Sequence, residues 1–315
     1  MSRIKSAEGQ GHSETGSKPA ASRPPGVLRS LFRPGLLVCF ALAAVATVFG
    51  PRLARSLPDV SQREEYLFKT REIEINPPPH WVPQELVEQV IEQSKLPESV
   101  SLLDDRLTKT IAEAFGQHPW VESVERVAKS LPSRVSAELV YRRPVAMVQV
   151  KQGFYPIDAQ GILLPPRDFS IADTQRYPMI VNVTTLPSGA AGTSWGDAGI
   201  IGSAQLAAVL TPHWKEFNLV TIENPVPKTG QSASDDGVYH LYTRGGSRIV
   251  WGRAPGSGHP GELTAEQKIG RMEEYVARFG GFDQPNGPYE IDIRHWQEIT
   301  RVPLTAKGGI RSAPR

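Results

Sequence analysis

The chain has 315 residues, enough for two domains of ordinary size. Its net charge of +2 hides an uneven distribution, because residues 1–33 carry +4 and the remainder carries −2. No segment beyond this tail is basic enough to form a nucleic-acid-binding surface. The single cysteine, Cys39, excludes an intramolecular disulfide and a cysteine-based metal site.

The N-terminal part predicts a tail followed by a membrane anchor. Residues 1–33 are rich in Ser, Gly, Pro and charge, which predicts disorder. Residues 34–51 carry no charge, and as a helix they would span about 27 Å, close to the thickness of the hydrocarbon core. We therefore predict a transmembrane helix over 34–52 and a juxtamembrane linker over 53–69. A cleaved signal peptide is the alternative, because Ala44-Val45-Ala46 resembles a cleavage site, but the long preceding segment favours the anchor.

Residues 70–149 predict a small domain of order β-α-α-β-β. A first strand covers 71–76, and a helix starts at Pro83. Ser101 and Asp104 predict the cap of a second helix that ends near Gly116. The domain ends with a hairpin within residues 119–150.

The hairpin is the most regular stretch of the sequence. Val135, Ala137, Leu139 and Tyr141 fall on one face, as a half-buried strand requires. Pro132 lies in the turn, and Pro144 predicts a bend before the alternation resumes over 146–150.

Residues 150–303 predict a mixed β domain with two helices. Short strands are expected over 154–157, 179–183, 219–222, 238–243, 247–251 and 289–294. Asp197 predicts the cap of one helix, while Thr264 and Gln267 form a capping box for another that ends at Gly280. Residues 224–237 predict a polar loop, and residues 304–315 predict a flexible tail.

Two short motifs suggest chemistry, but their contexts argue against it. Gly256-x-Gly258-x-x-Gly261 matches a dinucleotide fingerprint, yet two prolines interrupt the loop and no alternating βα series is present. Gly192-x-Ser194-x-Gly196 matches a nucleophile elbow, but a loop and not a buried strand precedes it. The seven histidines form no ligand-like pair. The sequence therefore predicts no enzyme, no cofactor and no metal site.

Several motifs in a consistent order resemble one bacterial family. They are Pro119-Trp120-Val121, Arg142-Arg143-Pro144-Val145-Ala146, Asp158-Ala159-Gln160-Gly161, the strand ending at Gly252, Lys268 and the strand Ile291-Asp292-Ile293-Arg294. Together they resemble the cell-division family FtsQ, called DivIB in Gram-positive bacteria. The resemblance covers roughly residues 36–303, and it implies an α+β chain with one transmembrane helix, a POTRA-type domain and a β domain. Pro77-Pro78-Pro79 departs from the family, which usually has a glycine-containing turn there.

The resemblance also implies a function. Such a protein is a bitopic scaffold of the divisome in the inner membrane, with a cytoplasmic N-terminus and periplasmic domains at the division site. In the family, the POTRA domain helps recruitment through upstream components. The last strands of the β domain bind the coiled-coil pair FtsB and FtsL by strand addition.

On this sequence, the candidate edge for strand addition lies within residues 289–301. Tyr289, Ile291 and Ile293 are expected to point inward, while Glu290, Asp292 and Arg294 are available to fix the register of a partner. Trp296 and the pair Arg143 and Pro144 complete the candidate partner-binding residues.

Two other functions compete with the scaffold. A POTRA-containing transport or secretion component would also use strand addition, but it would carry tandem POTRA units or a C-terminal barrel, and the sequence indicates neither. An envelope enzyme would depend only on the two glycine motifs.

Overall fold

The computed structural model describes residues 34–56, 66–225 and 237–304. The chain divides into two compact units, Met1–Val60 and Ser61–Arg315. Four predicted segments lie wholly or partly outside the described residues: the tail 1–33, the linker at 57–65, the loop at 226–236 and the C-terminal tail at 305–315.

The first unit contains helix α1, Pro34–Ser56. Across the described parts of the chain, no helix is both long enough and apolar enough to cross a membrane. The predicted transmembrane helix over 34–52 is therefore wrong. The helix continues beyond the uncharged stretch through Arg52 and Arg55, and arginine is costly within a bilayer core.

The second unit begins with a module that we call the first module. Its elements, in chain order, are β1 (Leu67–Lys69), β2 (Glu74–Ile75), α2 (Leu86–Ser94), β3 (Ser99–Ser101), α3 (Leu107–Gly116), β4 (Val121–Ser130) and β5 (Arg134–Tyr141). The three-stranded sheet has the order β2-β5-β4, with β2 parallel and β4 antiparallel to β5. Strands β1 and β3 form a separate antiparallel pair. The central sheet and its two helices thus follow the order strand, helix, helix, strand, strand.

The core of the first module lies between the two helices and strand β5. Leu86 and Val90 of α2 and Ile111 and Phe115 of α3 are almost fully buried. They share one cluster with inward residues of β5, which are Val135, Ala137 and Leu139. The two helices therefore cover the apolar face that the alternating pattern predicted for this strand.

The beginning of the first module differs from the prediction in two places. Thr70–Glu72 forms a 3-10 turn, so β2 is shorter than the predicted strand over 71–76. Ser101 belongs to β3 and does not cap α3; instead Asp104 Oδ1 accepts a 2.9 Å hydrogen bond from the N–H of Arg106. Pairing with β1 holds Ser101 in an extended conformation.

The second module follows. Its elements are β6 (Ala146–Val150), β7 (Gly153–Ile157), α4 (Ile171–Thr174), β8 (Met179–Val181), α5 (Ala198–Leu210), β9 (Leu219–Glu223), β10 (Tyr239–Thr243), β11 (Arg248–Gly252), α6 (Ala265–Phe279), β12 (Tyr289–Asp292) and β13 (Thr300–Pro303). Its eight strands form one mixed sheet in the order β13-β12-β11-β10-β9-β8-β6-β7. Strand β6 belongs to this sheet, so the first module ends at Tyr141 and not at residue 149. The second unit is therefore α+β.

Predicted capping residues organise the helices of the second module. The Asp197 carboxylate accepts a 2.8 Å hydrogen bond from the N–H of Gly199 at the start of α5. Thr264 and Gln267 form a reciprocal capping box at the start of α6, and Gly280 ends that helix with φ +82°. Both helices contribute to one core cluster with the inward residues of the sheet, among them Leu241, Ile249 and Ile291. The opposite face of these strands carries polar side chains.

The two modules share a buried junction. Leu164 follows β7 in the chain but is fully buried in the core of the first module. Arg142, just after β5, forms a 2.8 Å ion pair with Asp158, whose side chain is only 2% exposed. The second module therefore contributes a side chain to the interior of the first, and a largely buried ion pair joins the two.

Candidate partner-binding edge

Strand β12 is not the edge of the sheet. Strand β13 pairs with it antiparallel, with Glu290 opposite Val302 and Ile291 opposite Arg301. The predicted open edge at Tyr289, Glu290, Ile291 and Asp292 is therefore covered by the chain itself, and the outermost strand is β13. Residues 293–299 reverse the direction of the chain, so that β13 pairs antiparallel with β12.

The inward residues of the predicted edge lie in the core. Tyr289 is 6% exposed, and Ile291 and Ile293 are fully buried. This matches the expected alternation, but it leaves these three side chains inaccessible to a partner. Their contribution is to hold β12 in place under α6.

The outward acidic residues of β12, Glu290 and Asp292, form ion pairs with arginines of the same chain. Glu290 forms an ion pair with Arg248 of the neighbouring strand β11. Asp292 accepts three hydrogen bonds from the Arg294 guanidinium, at 2.6 Å from Nη2 and at 3.0 and 3.2 Å from Nε. Burial acts to raise the pKa of Asp292, but the bonds from Arg294 outweigh it and lower the pKa below its ordinary value.

A row of paired polar groups continues across the same face. Tyr242 of β10 donates a 2.8 Å hydrogen bond to Glu223 of β9, and His240 lies 3.3 Å from the same carboxylate oxygen. Burial, together with Glu223, raises the pKa of Tyr242 to about 12. Arg248 lies between Tyr242 and Glu290, so the row runs from β9 to β12.

Arg301 anchors β13 on the helix-covered face. Its guanidinium carbon lies 4.5 Å from the ring centroid of Phe279 and 4.7 Å from that of Tyr289. A planar cation near two aromatic rings is attracted by their quadrupoles. Sequence reasoning did not assign a role to Arg301; the available signal was the run Thr300-Arg301-Val302 directly after a turn, which favours a short strand.

Apolar side chains are exposed beside the edge. Trp296 is 62% exposed in the turn before β13, and Val302 is 58% exposed on β13. The carbonyl of Trp296 accepts a 3.2 Å hydrogen bond from Arg271 of α6, which fixes the turn. Exposed apolar groups next to a sheet edge are a typical site for protein contacts.

The structure does not bring Arg143 and Pro144 to this edge. They lie in the connection between β5 and β6, and four strands separate β6 from β12 in the sheet. Arg143 is exposed and lines a cavity of about 350 Å³ at the junction of the modules, together with Glu122, Tyr141 and Asp158. Pro144 is buried. The predicted residues therefore form two separate regions.

A buried ion pair supports the far end of β11 and β12. The Lys268 side chain of α6 is 2% exposed, pairs with Glu262 and lies 4.9 Å from the ring centroid of Trp251. Burial lowers the pKa of Lys268, and Glu262 opposes this effect. Gly252 has φ +99°, and a Cβ there would lie 2.6 Å from the Glu262 carboxylate, so a glycine is required where β11 ends.

The two glycine motifs lie in loops. Gly256, Gly258 and Gly261 all have positive φ in the connection between β11 and α6. Ser194 Oγ accepts a 3.4 Å hydrogen bond from the N–H of Gly196, in the turn before α5. Among the residues that the structure describes, no group of three His, Cys, Asp or Glu side chains is placed to hold a metal ion.

The comparisons with known proteins give no family. No protein-family model matches the chain, and no curated protein matches it either. The functional assignment therefore depends on the motifs of the sequence and on the geometry of the edge.

Proposed function

We propose that the protein is a non-catalytic scaffold of the bacterial cell-division machinery, similar to the FtsQ/DivIB family. It connects division proteins at the septum through protein–protein contacts on the outer side of the cytoplasmic membrane. Its partners are a coiled-coil pair similar to FtsB and FtsL, together with upstream components of the division site. The observation that carries the proposal is the β12–β13 end of the sheet, next to exposed Trp296 and Val302.

The chemistry of this end suits an extended partner segment. A strand at the end of a sheet, here β12 or β13, can pair with an added strand through main-chain N–H and C=O groups, while side chains on alternating positions provide specificity. The polar row that includes Arg248 and Glu290 lies on the open face, and the apolar groups lie at the rim. Such an arrangement supports recognition of a β-strand from another protein.

Localisation and partner capture together test this function. A fluorescent fusion of the chain in dividing cells of its source is expected to concentrate at midcell. Co-precipitation of the FtsB-like and FtsL-like proteins of those cells is expected to fall strongly in Trp296→Ala, which removes the exposed aromatic ring in the turn before β13.

A matched variant controls for loss of apolar surface in general. Leu131→Ala changes another exposed apolar side chain, 74% accessible, at the turn between β4 and β5 of the first module. It is expected to leave co-precipitation unchanged. A uniform envelope signal from the folded fusion, or equal capture by both variants, would contradict the scaffold.

A further inference from the structure

Strand β13 is held weakly on β12. All four of its residues are exposed, so it buries little apolar surface. The side-chain contacts described for it are those of Arg301, with the rings of Phe279 and Tyr289 at 4.5 and 4.7 Å and with the Tyr275 hydroxyl electrostatically. The remaining attachment is the main-chain ladder with β12.

The direction of the main-chain groups follows from two hydrogen bonds. The N–H of Leu304 donates to the carbonyl of Pro288 at 2.9 Å, so residues 288 and 304 form a hydrogen-bonded position. Because such positions alternate in an antiparallel ladder, Glu290 and Asp292 direct their N–H groups towards β13. The N–H of Ile293 donates to Val250 of β11 at 3.5 Å, which agrees with odd-numbered residues facing β11.

The outer side of β13 is a poor template for another strand. By the same alternation, Thr300 and Val302 direct their N–H groups inward to β12, and only Arg301 and residue 303 face outward. Residue 303 is proline and has no N–H. Strand β12 beneath it offers the N–H and C=O groups of both Glu290 and Asp292, so it is the better template.

We propose that β13 is a displaceable cover, and that an extended segment of the partner protein replaces it on β12. This inference rests on the proposed function and adds its regulation: the edge is closed in the free chain and opens only to a competing strand. The fitting segment places a planar cation or an aromatic ring between Phe279 and Tyr289. On the opposite face it places uncharged residues opposite Glu290 and Asp292, which already have basic partners.

The cover can be tested with its own sequence as the probe. A fluorescein-labelled peptide corresponding to residues 298–304 is titrated into the full-length chain and followed by anisotropy. Arg301→Ala removes the anchor of the cover and is expected to tighten peptide binding about three- to tenfold relative to the unaltered chain, the range expected for loss of a partly exposed guanidinium from its aromatic contacts. Arg278→Ala is the matched control, because Arg278 also lies over Phe279, at 5.3 Å, but belongs to α6. It is expected to leave peptide binding unchanged.

A locked variant provides the reverse test. Cysteines at Glu290→Cys and Val302→Cys, in a Cys39→Ser background, face each other across the ladder and are expected to cross-link. The oxidised protein is expected not to bind the peptide, and reduction restores binding. Equal peptide binding by Arg301→Ala and the unaltered chain would overturn the proposal that β13 is displaceable, and so would peptide binding by the oxidised variant. Failure to cross-link would contradict the pairing of β13 with β12.

The peptide assay needs no division protein. Its failure would remove the displaceable cover but leave the midcell and co-precipitation results standing. Failure of midcell localisation with successful peptide exchange would remove the division function but keep the cover.

Discussion

The indole N–H of Trp120 donates a 2.8 Å hydrogen bond to the Asp168 carboxylate, and this bond joins the two modules of the second unit. Trp120, directly before β4, is fully buried, and its ring stacks on Phe169 at a centroid distance of 5.8 Å. The tryptophan of the Pro-Trp-Val motif therefore has a structural role at the junction.

Trp120→Phe is expected to destabilise the protein by about 1–3 kcal/mol, because it keeps an apolar ring but removes the indole donor from a carboxylate that is 15% exposed. Urea unfolding followed by circular dichroism measures the change. Trp296→Phe, at a 62% exposed tryptophan, is the control and is expected to stay within about 0.5 kcal/mol. Equal effects of the two substitutions would show that the junction bond contributes nothing.

Two ion pairs in different surroundings allow a second comparison. Arg142 and Asp158 are 16% and 2% exposed, whereas Arg126 and Glu138 on the hairpin are 67% and 50% exposed, and both pairs are 2.8 Å long. Arg142→Ala leaves a buried carboxylate unpaired and is expected to cost about 3 kcal/mol. Arg126→Ala is expected to cost less than about 1 kcal/mol. Denaturant midpoints measure both, and a larger loss in Arg126→Ala would refute the assignment.

His118 predicts a pH dependence of stability. Burial lowers the pKa of His118 to about 4, against the attraction of Asp168, while the unfolded chain has the ordinary value of 6.5. Between these values the unfolded state binds a proton that the folded state does not. The contribution of His118 is therefore complete above about pH 6.5 and is lost as the pH falls towards 4.

The measurement compares unfolding free energies at pH 7 and pH 5. The loss between the two is expected to be smaller in His118→Gln than in the unaltered protein, because glutamine does not titrate. The rest of the pH dependence, which comes from other groups, stays common to both proteins. An identical loss in both would contradict this role of His118.

The buried Lys268–Glu262 pair predicts that the effects of substituting its two residues are not additive. Glu262→Gln alone leaves the ammonium, 2% exposed, without its counter-charge and is expected to cost about 3 kcal/mol. Adding Lys268→Met removes that charge, so the double variant is expected to recover most of the loss. Thermal unfolding of the two single variants and the double variant tests this; simple additivity of the losses would contradict it.

Two glycines near this pair are expected to respond in opposite directions. Gly252→Ala forces a Cβ against Glu262 at φ +99° and is expected to destabilise by more than about 1 kcal/mol. Gly270 lies within α6 and has open space around it, so Gly270→Ala is expected to stabilise by about 0.5–1 kcal/mol. Differential scanning calorimetry measures the change in melting temperature for both variants. Shifts of the same sign would contradict the prediction.

Local signals predicted much of the second unit. The capping box of Thr264 and Gln267, the glycine stop at Gly280 and the alternation of Val135, Ala137 and Leu139 depend on neighbouring residues, and the structure contains all three features. These patterns need no knowledge of distant contacts.

The sequence could not reveal the non-local features. Strand β13 is four residues long and exposed, so it has no alternating apolar pattern, and only its pairing with Glu290 and Ile291 defines it. Leu164 has no sequence feature that assigns it to the core of the other module. The membrane span failed as a prediction because uncharged length was the only criterion for it.

The burial of Leu164 inside the first module has a mechanical consequence. A load placed on the helices of that module reaches the large sheet through a close-packed interior and not through a flexible joint. The two modules of the second unit are thus mechanically coupled, because turning one against the other would pull Leu164 out of a packed core.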